Sequence, residues 1–180
     1  LALIESNMMP LGTVAPDFAL PDPKTGDVRS LQSLKGDKGT LVMFICNHCP
    51  YVKHMETALS DFGRLYEGSG INIVAISAND AETYPQDGPE QMALKAYPFP
   101  YLFDQTQQVA RDYGAECTPD FFLFDADLKC VYRGQFDSSR PGNGQPVTGE
   151  DLKAAFEALL SGNPISDMQI PSIGCSIKWR

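Results

Sequence analysis

Cys46 and Cys49 stand three residues apart in FICNHCPYVKH (residues 44–54), with His48 between them and Pro50 directly after. That spacing across a turn brings two sulfurs close enough to bond without long-range folding. A thiolate is the attacking species in disulfide exchange, and C-x-x-C thiols can ionise well below the free value of about 8.5. A following helix adds positive potential from its dipole and free N–H groups, and a protonated His48 would add more. Other readings share these residues. Two thiolates with His48 could bind Cu(I), and two cysteines could simply fill a core. Zinc is disfavoured because there is no second C-x-x-C and no H-x-x-x-H. His54, further along, reads as a solvated side chain.

The flanking residues supply a scaffold. Thr40–Ile45 (TLVMFI) is a short apolar run, the pattern of a strand covered on both faces. Val52, Met55, Leu59, Phe62 and Tyr66 then recur at steps of three and four, which predicts an amphipathic helix stopped near Gly68. Ile71–Ser77 is a second buried strand, so the unit is β-α-β with a right-handed connection. Pro50 suits the first helical position, which puts the helix start nearer Cys49 than Cys46 and weakens the dipole at Cys46. Further on, the sequence predicts a polar loop over 80–89, a helix over 90–97, a brief strand at Tyr101–Phe103 and a helix over Gln105–Tyr113 ended by Gly114. Two strands, Phe121–Phe124 and Cys130–Arg133, follow across a D-A-D-L-K turn, with Cys130 packing inward. A last helix runs over Thr148–Leu160 with Thr148 as its N-cap. Before all of these, Phe18–Leu20 and Val28–Leu31 flank a K-T-G-D turn and form a β-hairpin arm. The expected organisation is an α/β domain over residues 1–162 and a C-terminal tail over 163–180.

Three segments together resemble a known family. The arm G-T-V-A-P-D-F-A-L, the dithiol at the end of the first core strand, and T-P-D-F-F-L-F are similar to the thioredoxin fold as used by the redoxin group. That group contains peroxiredoxins, alkyl hydroperoxide reductase/thiol-specific antioxidant proteins and thioredoxin-like reductases, and the resemblance spans residues 11–161. It implies a thioredoxin fold with a mixed central sheet, and a thiol–disulfide oxidoreductase. By the same resemblance Cys46 attacks, Cys49 resolves, His48 makes the dithiol more oxidising, and Thr118 with a cis Pro119 forms the substrate-facing wall. The Thr118 backbone would then pair with an extended substrate chain. Cys117 is expected nearby as a small buried hydrophobe, with Cys117 and Cys175 as candidate auxiliary thiols. The resemblance implies no cofactor and no metal. The partners would be a protein disulfide or dithiol and a reductant or oxidant protein.

The chain departs from the thioredoxin pattern in three places. Its proline follows the cysteines instead of lying between them, Ile45 stands where thioredoxins carry tryptophan, and Thr40–Ile45 holds no acid. It also lacks the peroxidase loop P-x-x-x-T-x-x-C. Counting back from Cys49 the key places are Cys46 and Val42, and from Cys46 they are Met43 and Gly39, so neither frame offers the threonine. A copper module is a weaker match, since its histidine is usually distant and both histidines here are local.

Composition narrows the field. With 14 basic and 23 acidic residues and a net charge of -9, nucleic acid and anionic membrane are poor partners. Five scattered cysteines are no disulfide scaffold. The opening LALIESNMMPLG has no basic n-region, which favours a cytoplasmic protein. In the tail, Ile173, Cys175, Ile177 and Trp179 alternate with Gly174, Ser176 and Lys178. This is the period of an extended segment with one apolar face. The tail is expected to pack on the body with Cys175 inward, and a bolder expectation has it reach Cys117 or the dithiol.

Overall fold

The computed structural model describes residues 3–180; residues 1 and 2 of the expected domain lie outside the described residues. A short strand, β1 (Leu3–Glu5), precedes the arm, in which β2 (Ala19–Pro21) and β3 (Val28–Ser30) pair antiparallel, Leu20 opposite Arg29. A capping box between Ser30 and Ser33 starts the one-turn α1 (Leu31–Leu34). Next come β4 (Gly39–Phe44), α2 (Pro50–Leu65) and β5 (Ile71–Ser77), with β4 and β5 parallel and Val42 opposite Val74.

A 3-10 turn (Pro85–Asp87) leads to α3 (Pro89–Met92), shorter than the expected 90–97 helix. Pro98 disfavours helical backbone at Tyr97, and the chain leaves the helix early. After β6 (Tyr101–Phe103), α4 (Gln108–Tyr113) begins three residues later than expected because Gln107 is left-handed, and it ends at a left-handed Gly114. The chain continues with β7 (Cys117–Thr118), β8 (Asp120–Asp125), β9 (Cys130–Tyr132), α5 (Glu150–Ser161) and β10 (Ile173–Ser176).

The central sheet has the order β6-β5-β4-β8-β9, parallel through β4 and antiparallel beyond it. Side chains alternate across β4. Leu41 and Met43 join Val52, Met55, Leu59 and Phe156 on the α2–α5 face. Val42 and Phe44 join Val74, Leu31 and Tyr113 under the arm and α4. This two-sided cover explains why β4 reads as a continuous apolar run. Among the described residues no helix is long and apolar enough to cross a membrane.

Two local expectations need correction. The N-cap of α5 is Gly149 and not Thr148: Asp137 Oδ2 accepts the Thr148 and Gly149 N–H groups at 2.8 and 2.7 Å and sets the helix start. Gly149 has φ +69°, and a Cβ there would come within 2.6 Å of the Phe136 ring, so only glycine suits the position. His54 is not solvated, since its Nε2 lies 2.7 Å from Ser139 Oγ.

Asp120, the first residue of β8, is 1% exposed, and no well-formed hydrogen bond reaches its carboxyl oxygens among the described residues. Desolvation pushes its pKa up to about 7, opposed only in part by the Ser6 hydroxyl and the Phe121 N–H. The folded chain therefore holds this proton more tightly than the unfolded one. The associated stability is complete below about pH 4 and is lost as pH rises to about 7, by about 3–4 kcal/mol. Urea denaturation of wild type and Asp120→Asn across this range should give curves that diverge by that amount; parallel curves would disprove the assignment.

The tail packs along the body. β10 lies between β1 and β7 in a second, three-stranded antiparallel sheet, with Cys175 opposite both Leu3 and Thr118. Ile177 is buried among the residues under α4, and the Arg111 guanidinium sits 4.4 Å above the Trp179 ring. Lys178 is stitched by its backbone, donating to Asn79 Oδ1 at 2.9 Å and accepting from Asp80 N–H at 2.8 Å.

Candidate active site

Cys46 follows the last residues of β4, and Cys49 is the N-cap of α2 with Pro50 at its first position. Both side chains are 1% exposed, and all five cysteines are free thiols. The Thr118–Pro119 peptide is cis and meets the pair from the other side. Thr118 touches both sulfurs: its Oγ1 is 3.6 Å from Cys46 Sγ, and its carbonyl accepts from Cys49 Sγ at 3.4 Å.

The two thiols are unequal in acidity. Cys46 is held well above the ordinary cysteine range because it donates to Cys49, and burial and the Asp87 charge act in the same direction. Cys49 is lowered by accepting that S–H bond, against burial and with help from Cys175, Thr118 and the Val52 N–H. The helix start lies at Cys49, as Pro50 implies, while Cys46 faces a carboxylate.

That carboxylate was not anticipated. Asp87 is fully buried, and its Oδ1 accepts the N–H groups of Asn47 and His48 at 2.8 and 3.1 Å. Its Oδ2 bonds His48 Nδ1 and accepts from Asn79 Nδ2 at 2.9 Å. The His48 ring also stacks on Tyr84, with centroids 5.4 Å apart and planes 5° from parallel. Asn47 donates to Gln86 O at 2.8 Å and accepts from Tyr101 OH at 2.9 Å. Pro85, Gly88 and Pro89 bracket Asp87 and mark a turn, but nothing in their spacing ties that turn to residues forty positions earlier.

Cys46 Sγ, a His48 ring nitrogen and an Asp87 oxygen lie within 4.8 Å of one another, which is near enough for a shared cation. The donor set does not suit one. Each Asp87 oxygen already takes two hydrogen bonds, so all four carboxylate lone pairs are engaged. The arrangement is an imidazole–carboxylate pair beside a thiol.

The expected wall at Thr118 and Pro119 is in place, but its free edge is not. β10 occupies it, with Cys175 opposite Thr118 and Ser176 opposite Cys117. The cover is close because residue 174 is glycine; a Cβ there would come 1.9 Å from Thr118 O. Cys175 is thereby brought to the dithiol. Burial first, then the neighbouring Cys49 sulfur, pushes its thiol up to about 12. Cys117 does not join them: its sulfur donates to Pro119 O at 3.7 Å, and burial raises it. Cys130 lies across the sheet in the other core cluster.

A dithiol where the first core strand meets its helix, opposed by a cis-proline loop over a mixed sheet of this order, defines a thioredoxin-fold protein of the redoxin type. The chain belongs to the AhpC/TSA family, whose model matches residues 11–133. It is similar to a solved uncharacterized conserved protein from Geobacillus kaustophilus, 56% identical over 100% of this chain and 97% of that one, TM-score 0.98. A putative thiol:disulfide interchange protein DsbE from Chlorobium tepidum is 26% identical over 85% of this chain and 99% of that one, TM-score 0.67. The thiol-disulfide oxidoreductase ResA of Bacillus thuringiensis is 26% identical over 84% of this chain and 78% of the relative.

Proposed function

We propose that this protein is a thiol–disulfide oxidoreductase that exchanges disulfides with protein substrates through Cys46 and Cys49. The observation that carries this reading is geometric: two buried thiols where the first core strand meets its helix, both in contact with Thr118 of the cis-proline loop. The DsbE and ResA relatives bear names of the same chemistry.

Cys46 is the sulfur that attacks. Thr118 O and Cys175 overlie Cys49, whereas Cys46 faces the loop of Asn47, His48 and Asp87, beside an open cleft lined by Asn47, His48, Lys53 and Gln86. Cys46 first gives up its proton, and the two protons that Cys46 and Cys49 release pass to the departing substrate sulfurs. Cys46 then bonds one sulfur of the substrate disulfide and the other leaves as a thiolate. Cys49 next gives up its proton and attacks Cys46; the Cys46–Cys49 disulfide forms and the substrate departs as a dithiol. Two electrons pass to the substrate, and a reductant protein restores the pair. His48, held by Asp87 beside Cys46, tunes the potential. No organic cofactor enters these steps.

Cys49→Ala should leave Cys46 able to attack and nothing to resolve the product. Turnover should fall by more than ~100-fold, while mixed disulfides with substrate proteins accumulate at Cys46. Cys46→Ala should lose turnover without accumulating them. Retention of turnover by Cys49→Ala would remove the dithiol from the mechanism.

A further inference from the structure

The tail strand lies on the edge where an extended substrate would add, and it carries a cysteine at the register position of Thr118. Thr118 is thus a common neighbour of three sulfurs: its hydroxyl faces Cys46, its carbonyl accepts from Cys49, and its backbone pairs with Cys175. The same three cysteines belong to one packed cluster, which neither Cys117 nor Cys130 enters. β10 also touches α2, the helix that Cys49 caps. Gly174 allows this approach, since any side chain there would strike Thr118 O.

We infer that Cys175 is a third exchange cysteine, held on β10 as a built-in substrate strand, that takes Cys49 over from the Cys46–Cys49 disulfide. The inference rests on the reading that Cys46 and Cys49 form a redox dithiol. In the step, Cys175 sulfur loses its proton and attacks Cys49 Sγ. The Cys49–Cys175 bond forms, the Cys46–Cys49 bond breaks, and Cys46 leaves as a thiolate that takes up a proton. One disulfide is exchanged for another with no net oxidation, so no further reactant is needed. The oxidised protein then carries Cys46 as a free thiol, able to attack a second partner without prior reduction.

Disulfide mapping of the full chain tests this. The protein is oxidised with one equivalent of diamide, quenched in acid, alkylated under denaturing conditions and cut with trypsin without reduction. Cleavage after Lys38, Lys53, Lys153 and Lys178 places Cys46 and Cys49 on peptide 39–53 and Cys175 on peptide 154–178. The expected result is a population in which 39–53 is linked to 154–178 with Cys46 alkylated. Cys46→Ser should bring that link to near completion, and Cys175→Ser should abolish it and leave only the disulfide within 39–53. A wild-type protein showing only the disulfide within 39–53, with Cys175 alkylated, overturns the inference and keeps the dithiol reading. A link from 154–178 to the Cys117 peptide 112–129 in place of 39–53 also overturns it. If 39–53 forms neither an internal nor an external disulfide, the dithiol reading fails and this inference with it. The wild-type map decides the matter even where a variant does not fold.

Discussion

Asp87→Ala is expected to be among the most destabilising single changes of a polar side chain in this protein, at about 3–5 kcal/mol. Asp87 is buried and serves four donors at once: the Asn47 and His48 N–H groups, the His48 ring and Asn79 Nδ2. Alanine offers no acceptor to any of them. Two backbone N–H groups in the loop between the cysteines would be left without their buried acceptor, and each such loss is costly. The damage should be local as well as global, because this carboxylate shapes the Asn47–His48 turn on which the Cys46 sulfur depends. Urea denaturation would show a lowered midpoint at unchanged slope. A variant within about 1 kcal/mol of wild type would mean that the loop finds other acceptors and that Asp87 does not organise it.

Gly174→Ala should act by a different route, with its larger effect on the protection of Cys175. The added Cβ would meet Thr118 O at 1.9 Å, Thr118 C at 2.7 Å and Pro119 Cδ at 3.2 Å. Two of these are backbone atoms of the cis-proline loop and cannot swing aside as the end of a side chain would. β10 must therefore lift from β7, at a cost of about 1–3 kcal/mol. Cys175, 3% exposed while the strand is docked, would then meet solvent. Alkylation of Cys175 under native conditions should speed up at least ~10-fold, as expected where a local opening equilibrium shifts toward the open form. The Thr118 edge would be freed at the same time. Unchanged protection of Cys175 would show that the strand pairing tolerates the methyl group and is looser than its register implies.

Much of the site was legible because its signals are local. Cys46 and Cys49 are three residues apart, and Pro50 marks a helix start whatever else the chain does. That one residue was enough to place the N-cap at Cys49, as the fold has it, and to put the dipole at Cys46 in question. The strands Gly39–Phe44 and Ile71–Ser77 and the helix Pro50–Leu65 were readable for the same reason, since burial on two faces or on one stripe leaves a period within a few residues. Even the alternating tail announced an extended, half-apolar strand.

The tertiary structure alone decided who the neighbours are. A polar loop around Asp87 looks the same in sequence whether its carboxylate faces water or caps a turn forty residues earlier; only the fold of the segment between β5 and β6 delivers it to His48. Thr148 is an ordinary N-cap by type, and it yielded to an Asp137 carboxylate that a long loop folds back onto the helix start. Alternation told that the tail is a strand and not which edge it takes. That choice needed an unpaired edge at Cys117–Thr118, a glycine at 174 to let two backbones meet, and burial for Ile177 under α4. Each of these is a contact between distant segments. Such contacts depend on which surfaces remain free once the sheet has formed, and a few neighbouring residues carry no record of that.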